Sequence, residues 1–359
     1  MQKSNLIIAK KNRNLNLDLI RCIAVCSVIS VHFFLNIGFY QEITVGKRMV
    51  LMNFMRTCFM VCVPLFLILT GYLMNRKKLS RNYYTGIVHT LAIYIIISSF
   101  CILYKILILK QEANFILEIL NFTGSYHAWY IEMYIGLFLI IPFLNMIYHG
   151  LETKRQKKVL LFTVFFLVTV PAIFNIFGIK VIPSWWINIW PILYYFIGCY
   201  LNEYKPHIPK VKNMLLLLLV FIFSTGFNLY RNMGKCFEWG MYNDWYGIEN
   251  LLSSVLLFVL VDNININNIP SKLKWCIQSI SKLSLGIYLS SWITEDYFYS
   301  RLNERVGDVI YRVNCFPIAV IIVFVAYTFY SLIAEIIYKI TMRFIKRIAK
   351  IKFKYNQRK

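Results

Sequence analysis

The sequence is short of charge. Asp, Glu, Lys and Arg make up only 15% of its 359 residues, where a soluble chain covers itself with roughly 25%, and that shortage excludes a water-soluble fold. Acidic residues are the scarcest, 16 against 39 Lys and Arg. No polar stretch is long enough to form a soluble domain or an interdomain linker. The CxxC, HExxH, Walker and GxGxxG patterns are all missing, which leaves metal, ATP and dinucleotide chemistry without a sequence basis. Cys22/Cys26 and Cys58/Cys62 are i, i+4 pairs inside apolar runs, where the thiol behaves as a small hydrophobe. Cys236 and Cys315 fall in loops on one side, where a disulfide is open to them.

Apolar side chains are abundant, 59% of the sequence, with a mean hydropathy of +0.59. Runs of about 20 such residues recur, the length that crosses a ~30 Å hydrocarbon layer as a helix. The sequence therefore predicts an all-α, polytopic membrane protein of about ten transmembrane helices. The predicted spans are 17–37, 50–74, 87–109, 129–148, 159–177, 187–201, 214–229, 248–262, 277–299 and 315–338. The net charge of +23 then reads as orientation. With the N-terminus placed inside, 26 of the 39 basic residues fall in inner segments and 9 in outer loops, leaving Arg21, Arg56, Lys105 and Lys282 within spans. Such a bias puts both termini in the cytoplasm and removes the need for nucleic acid as a partner. Residues 1–16 form a cytoplasmic N-terminal segment, 17–338 one membrane domain and 339–359 a basic cytoplasmic tail. The basic stretch Lys10, Lys11 and Arg13 precedes the first span without a small-residue cleavage site after it, so that span is expected to be retained. In the tail, Phe344, Ile345, Ile348 and Ile351 alternate with cations, the pattern of an amphipathic helix on an anionic leaflet.

Chemistry must come from polar groups within the spans, where a titratable side chain costs several kcal/mol and usually faces a bundle interior or a wet cavity. The first span holds Asp18, Arg21 and His32. Arg21 and His32 are eleven residues apart, three helical turns plus about 20°, so both leave one face roughly 16 Å from each other. Asp18 can pair with Arg21. Taken singly, Arg21 also suits a snorkelling cation and His32 an interhelical hydrogen bond. Arg56 and Glu132 lie at a depth similar to His32; Glu132 can orient His32 or pair with Arg56. Glu295 and Asp296 read as carboxylates at the headgroup boundary. His127 is open to either a structural or a functional part. Seven of eight tryptophans fall at or beyond the outer face, and only Trp275 lies inside, more than an interfacial belt requires and consistent with an aromatic cleft for a sugar.

Four blocks carry a resemblance. Leu17-Asp18-Leu19-Ile20-Arg21-Cys22-Ile23-Ala24 through Val31-His32 resembles the Arg-x10-His signature of the bacterial integral-membrane acyltransferase family 3. Val63-Pro64-Leu65-Phe66 with Thr70-Gly71-Tyr72-Leu73 is similar to its VPLF…SGYL block, His127-Ala128-Trp129-Tyr130 through Ile135-Gly136-Leu137 to Pro142 to its HxWY…IGL…P segment, and Ser284-Leu285-Gly286-Ile287-Tyr288-Leu289 to its SxGIYL block. The chain looks like the shorter, membrane-only branch.

The resemblance implies a multi-pass protein of the bacterial plasma (inner) membrane. Its implied activity is transfer of an acyl group, usually acetyl, from cytosolic acyl-CoA to a hydroxyl of a surface glycan or lipid-linked sugar. It makes His32 the catalytic residue, with Arg21 in the same pair, and no cofactor is expected beyond acyl-CoA as co-substrate. Glu132 is the carboxylate expected to hold the His32 tautomer, with no metal ion involved. Arg21, Arg76, Lys77, Lys78 and Arg81 are expected to bind the donor phosphates, and Arg56, His127 and Trp129 the acceptor. An imidazole can serve as general base or as nucleophile, and both stay open at this level. Two departures stand out. Arg81-Asn82-Tyr83-Tyr84 replaces a closely spaced arginine pair, and Ser291 stands where relatives often carry His. The competing reading is an exporter of surface polysaccharide, for which intramembrane Arg, His and Glu are equally suited.

Overall fold

The computed structural model describes residues 13–175, 179–266 and 268–356, with side chains described as far as residue 348. Lys10 and Lys11, and the side chain of Ile351, lie outside the described residues. The chain is 78% helical and holds no strand among those residues, as the apolar runs predict. Twelve helices matter here: α1 (Leu15–Asn36), α2 (Gly46–Phe59), α3 (Cys62–Met74), α4 (Val88–Leu107), α5 (Trp129–Gly150), α6 (Lys154–Phe174), α7 (Trp190–Tyr204), α8 (Lys210–Asn232), α9 (Ile248–Asp262), α10 (Ser271–Leu289), α11 (Ser291–Arg305) and α12 (Phe316–Asn356).

Seven candidate spans are long and apolar enough to cross a membrane: Leu15–Asn36, Gly46–Met74, Arg81–Leu107, Trp129–Gly150, Lys154–Phe174, Lys210–Asn232 and Val309–Ile348. Three further predicted spans coincide with shorter pieces. α7 and α9 are 15 residues each, and the predicted span 277–299 is broken at Ser290 into the end of α10 and the start of α11. The predicted tail helix is not a separate element, because α12 runs unbroken for 41 residues.

α1 is the axis of the bundle. In its most apolar stretch 78% of residues are buried, against 22% in the last span, because α2, α3, α9, α10, α11 and α12 all pack around it. Its start is fixed by Asn16, whose amide donates to the carbonyls of Val261, Asp262 and Ile264 at 3.0, 2.9 and 2.7 Å, tying α1 to the C-terminal end of α9 and the residues just after it, where helix carbonyls lack intrahelical partners. α3 and α7 cross at two glycines. A Cβ on Gly71 would lie 2.0 Å from the Tyr195 carbonyl oxygen, and one on Gly198 2.1 Å from that of Ile68, so the backbones themselves are in contact, as small residues permit. Gly286 lets α10 approach α12 closely enough to seat the Ser331 side chain, where an added Cβ would lie 2.2 Å from Ser331 Oγ.

Candidate active site

The Arg21/His32 face of α1 borders two cavities. Arg21 lines one of about 230 Å³, with Thr70 and Met74 of α3, Tyr134 of α5 and Ser284 of α10. His32 lines another of about 710 Å³. Val28, midway between them on α1, borders both. The one-face reading of α1 is therefore realised in the fold. Arg21 is half-buried and sits in a small polar cluster: its Nη1 donates to Ser281 Oγ at 2.8 Å and lies 3.6 Å from Asp18. Asp18 accepts further bonds from Ser281 Oγ and from Arg13 at 2.6 and 2.5 Å.

His32 does not meet Glu132. Its Nδ1 lies 2.6 Å from Glu295 Oε1, and His127 Nε2 lies 2.9 Å from Glu295 Oε2. The two imidazoles stack, with centroids 3.8 Å apart and planes 19° off parallel. Tyr327 of α12 donates to Glu295 Oε1 at 3.0 Å, and Asn36 Nδ2 to Oε2 at 3.3 Å. A carboxylate 2% exposed is costly unless its lone pairs are filled, and here four donors surround it. The three side chains also have the composition of a His₂Glu metal set, with ligand atoms within 4.8 Å of one another, but as placed the carboxylate oxygens occupy the two ring nitrogens as hydrogen-bond partners. Each imidazole whose N–H points at Glu295 keeps its other ring nitrogen as a lone pair, and both residues border the cavity.

This overturns the placement of Glu132, which is exposed on the first turn of α5 with no hydrogen bond to His32 or Arg56. A shared depth in the membrane does not fix which way a side chain faces. Glu295 was the carboxylate assigned to the headgroup boundary. Glu295 lies in the first turns of α11, just past the break at Ser290 that separates it from α10.

Arg56 is also displaced from its expected part. It is fully enclosed, 0% exposed, and does not itself line the His32 cavity. Its Nε donates to Tyr40 OH at 3.2 Å, both terminal nitrogens to the Asn243 carbonyl at 3.4 Å, and Nη1 stands 3.9 Å from Glu249. Its guanidinium lies over Phe237 and Trp239 at 4.9 and 5.0 Å. What it holds is the segment 233–247. Asparagines complete the clamp: Asn243 Nδ2 donates to Asn228 Oδ1 at 3.2 Å, and Asn250 Nδ2 to the Asp244 carbonyl at 2.8 Å. That segment delivers Trp239, Asp244 and Trp245 to the His32 cavity.

The aromatic cleft is present. Trp129, Trp190, Trp239 and Trp245 line the His32 cavity, as does His127, and Trp129 stacks on Trp245 at 6.3 Å. His127 and Trp129 therefore border the same cavity as His32. Asp244 is the acidic residue among those lining it; burial pushes its carboxyl above the ordinary range, against the Trp245 N–H bond and Arg56, which favour the charged form. Cys236 and Cys315 are unpaired, and the Cys236 thiol donates to the Gln41 carbonyl at 3.3 Å.

The expected donor loop forms a third cavity, about 720 Å³, bordered by Arg76, Lys77, Lys78, Asn145, His149 and Glu203. Asn145 Nδ2 ties the loop down by donating to the Met74 and Lys77 carbonyls at 2.9 and 2.8 Å, which leaves the cations exposed at its rim. Arg81 begins the short helix Arg81–Tyr84 and lies outside this wall. Arg21 is likewise not part of it, so of the expected donor residues Arg76, Lys77 and Lys78 line this cavity, Arg21 lines another and Arg81 lines neither.

Residues 14–338 match the profile of a protein family described as an acyltransferase domain. No curated protein and no solved structure matches the chain.

Proposed function

The chain belongs to acyltransferase family 3, a membrane acyltransferase, and from that premise we propose that it moves an acetyl group from acyl-CoA to a hydroxyl of a surface polysaccharide or lipid-linked sugar across a bacterial inner membrane. The observation that carries this reading is the spacing of Arg21 from the His32–Glu295–His127 cluster. Eleven residues of helix separate Arg21 and His32 by ~16 Å. The arm joining the diphosphate of CoA to its sulfur has about thirteen chain atoms, a little over four residues' worth of extended backbone, or ~15 Å. An arginine at the phosphates and an imidazole at the thioester are therefore one arm's length apart.

In this mechanism Glu295 holds the N–H of His32 on Nδ1, so Nε2 carries the lone pair. Nε2 takes the proton of the acceptor hydroxyl as its oxygen attacks the thioester carbonyl. The new C–O ester bond forms as the C–S bond breaks, and the imidazolium returns the proton to the departing thiolate. Glu295, already paired with both imidazoles, stabilises the cation formed in between. The tryptophan walls offer flat apolar faces for sugar rings, and Asp244 a partner for their hydroxyls. The loop Arg76–Lys78 offers charge to the nucleotide end of the donor.

Purified protein in liposomes, given labelled acetyl-CoA on one side and lipid-linked glycan on the other, tests the proposal. Label on the glycan is expected, and His32→Ala should remove it while the protein still inserts. Glycan movement without CoA release would support the exporter reading instead.

A further inference from the structure

We propose that Val28, Val63 and Tyr288 form a septum between the two cavities that sets the length of acyl group the protein accepts. The proposal rests on the acyl-transfer reading above. Its observation is independent of it: one residue from each of three different helices borders both cavities. On α1 the lining passes from Arg21 through Val28 to His32, and on α3 from Thr70 through Val63 to the far side; on α10 it ends at Tyr288. Among the described residues these three are the ones bordering both spaces.

The septum is built to keep its shape. Val28, Val63 and Tyr288 are 2%, 3% and 5% exposed. Tyr288 is pinned by its hydroxyl, which donates to the His127 carbonyl at 2.7 Å, and by edge-on contact with the Tyr130 ring at 5.4 Å. A helical valine has essentially one rotamer, so the opening is bounded by fixed methyl groups and a fixed ring. The cavity behind it is small, about 230 Å³ against about 710 Å³ beyond.

An acyl group attached at the sulfur has to enter this gap for its carbonyl to meet His32. Acetyl presents one methyl group. Each further methylene must find room among side chains at interior packing density, and discrimination per methylene in such a site is roughly 10- to 200-fold.

The test uses membrane vesicles carrying the full chain, with matched vesicles lacking it, supplied in turn with acetyl-, propionyl-, butyryl- and hexanoyl-CoA; free CoA is quantified by mass spectrometry. Wild type should fall by about tenfold or more for each added methylene. Val28→Ala and Val63→Ala should raise the butyryl-to-acetyl ratio by at least about tenfold, and Val63→Ile, which closes the gap with little risk to folding, should lower the propionyl-to-acetyl ratio by a similar factor. Unchanged ratios in these variants, with an active wild type, overturn the septum. A wild type that releases CoA from none of the four donors overturns the acyl-transfer reading itself, and the septum with it.

Discussion

Replacing Glu295 by Gln changes one atom of the carboxyl and is the sharpest probe of the site. The carboxylate accepts from His32 and Tyr327 on Oε1 and from His127 and Asn36 on Oε2. A glutamine keeps one accepting oxygen and turns the other position into a donor. Whichever imidazole faces the new NH₂ must present a lone pair to it, and so must carry its own proton on the cavity side. If that imidazole is His32, the base is lost to the wrong tautomer. If it is His127, His32 keeps its tautomer but loses the negative charge that supports its cationic form. The same change in a Ser-His-Asp hydrolase lowers kcat about 10⁴-fold, and a fall of roughly 10³- to 10⁴-fold in acyl transfer is expected here. The assay is the rate of label transfer from acetyl-CoA, with Glu132→Gln as its companion. Glu132 is exposed and away from the cluster, so its substitution should stay within about twofold of wild type, as surface changes generally do. Glu295→Gln retaining more than a tenth of the wild-type rate, or Glu132→Gln falling as far, would refute the assignment.

Other outcomes follow from the same geometry. Gly198→Ala would press a methyl onto the Ile68 carbonyl at 2.1 Å and should destabilise the fold by about 1–3 kcal/mol or more, read as a lower unfolding midpoint in detergent. Arg56→Met leaves Glu249 buried beside it without its cation, a change worth roughly 3–5 kcal/mol; the tryptophan emission of the Trp239–Trp245 segment should shift to the red as that segment loosens. Arg21→Ala should raise KM for acyl-CoA far more than it lowers kcat, with Arg21→Lys intermediate, and equal losses in both would argue against phosphate binding. Asp244 lies in a loop with its carboxyl held above the usual range by burial, so the fold is favoured by its protonated form. That contribution is complete below the unfolded-state pKa of ~3.9 and is lost as pH rises through the folded value. Asp244→Asn should therefore raise the unfolding midpoint at pH 7 more than at pH 4, and an equal shift at both would count against it.

The membrane class was legible because composition alone decides it. The pairing of Arg21 with His32 was legible because both lie on one helix, where spacing fixes azimuth. His127 and Trp129 were legible through their sequence block. Glu295 was not, since it reaches His32 across 263 residues and no spacing within one helix relates the two. The fate of Arg56 was equally hidden. A cation near a span's end looks the same in sequence whether it faces a ligand or is sealed beneath a loop, and what seals this one is a set of asparagines from α8, α9 and the segment between them. α7 and α9, 15 residues each, are shorter than the apolar runs of the other spans, and many of their apolar residues face other helices, which hydropathy counts as it counts lipid.

The unbroken α12 offers experimenters something the rest of the fold does not. Forty-one residues at 1.5 Å each make a rod of ~62 Å, about twice the hydrocarbon thickness of ~30 Å. Roughly half of it must therefore project beyond that layer or tilt strongly within it. A soluble helical protein fused in register to its end would inherit the rod's direction, giving a chain of 42.6 kDa, otherwise lost in its micelle, a rigid landmark for aligning particle images. Insertion of one residue at the junction would rotate that landmark by about 100°, which provides a direct measure of whether the helix is as continuous in solution as it is here.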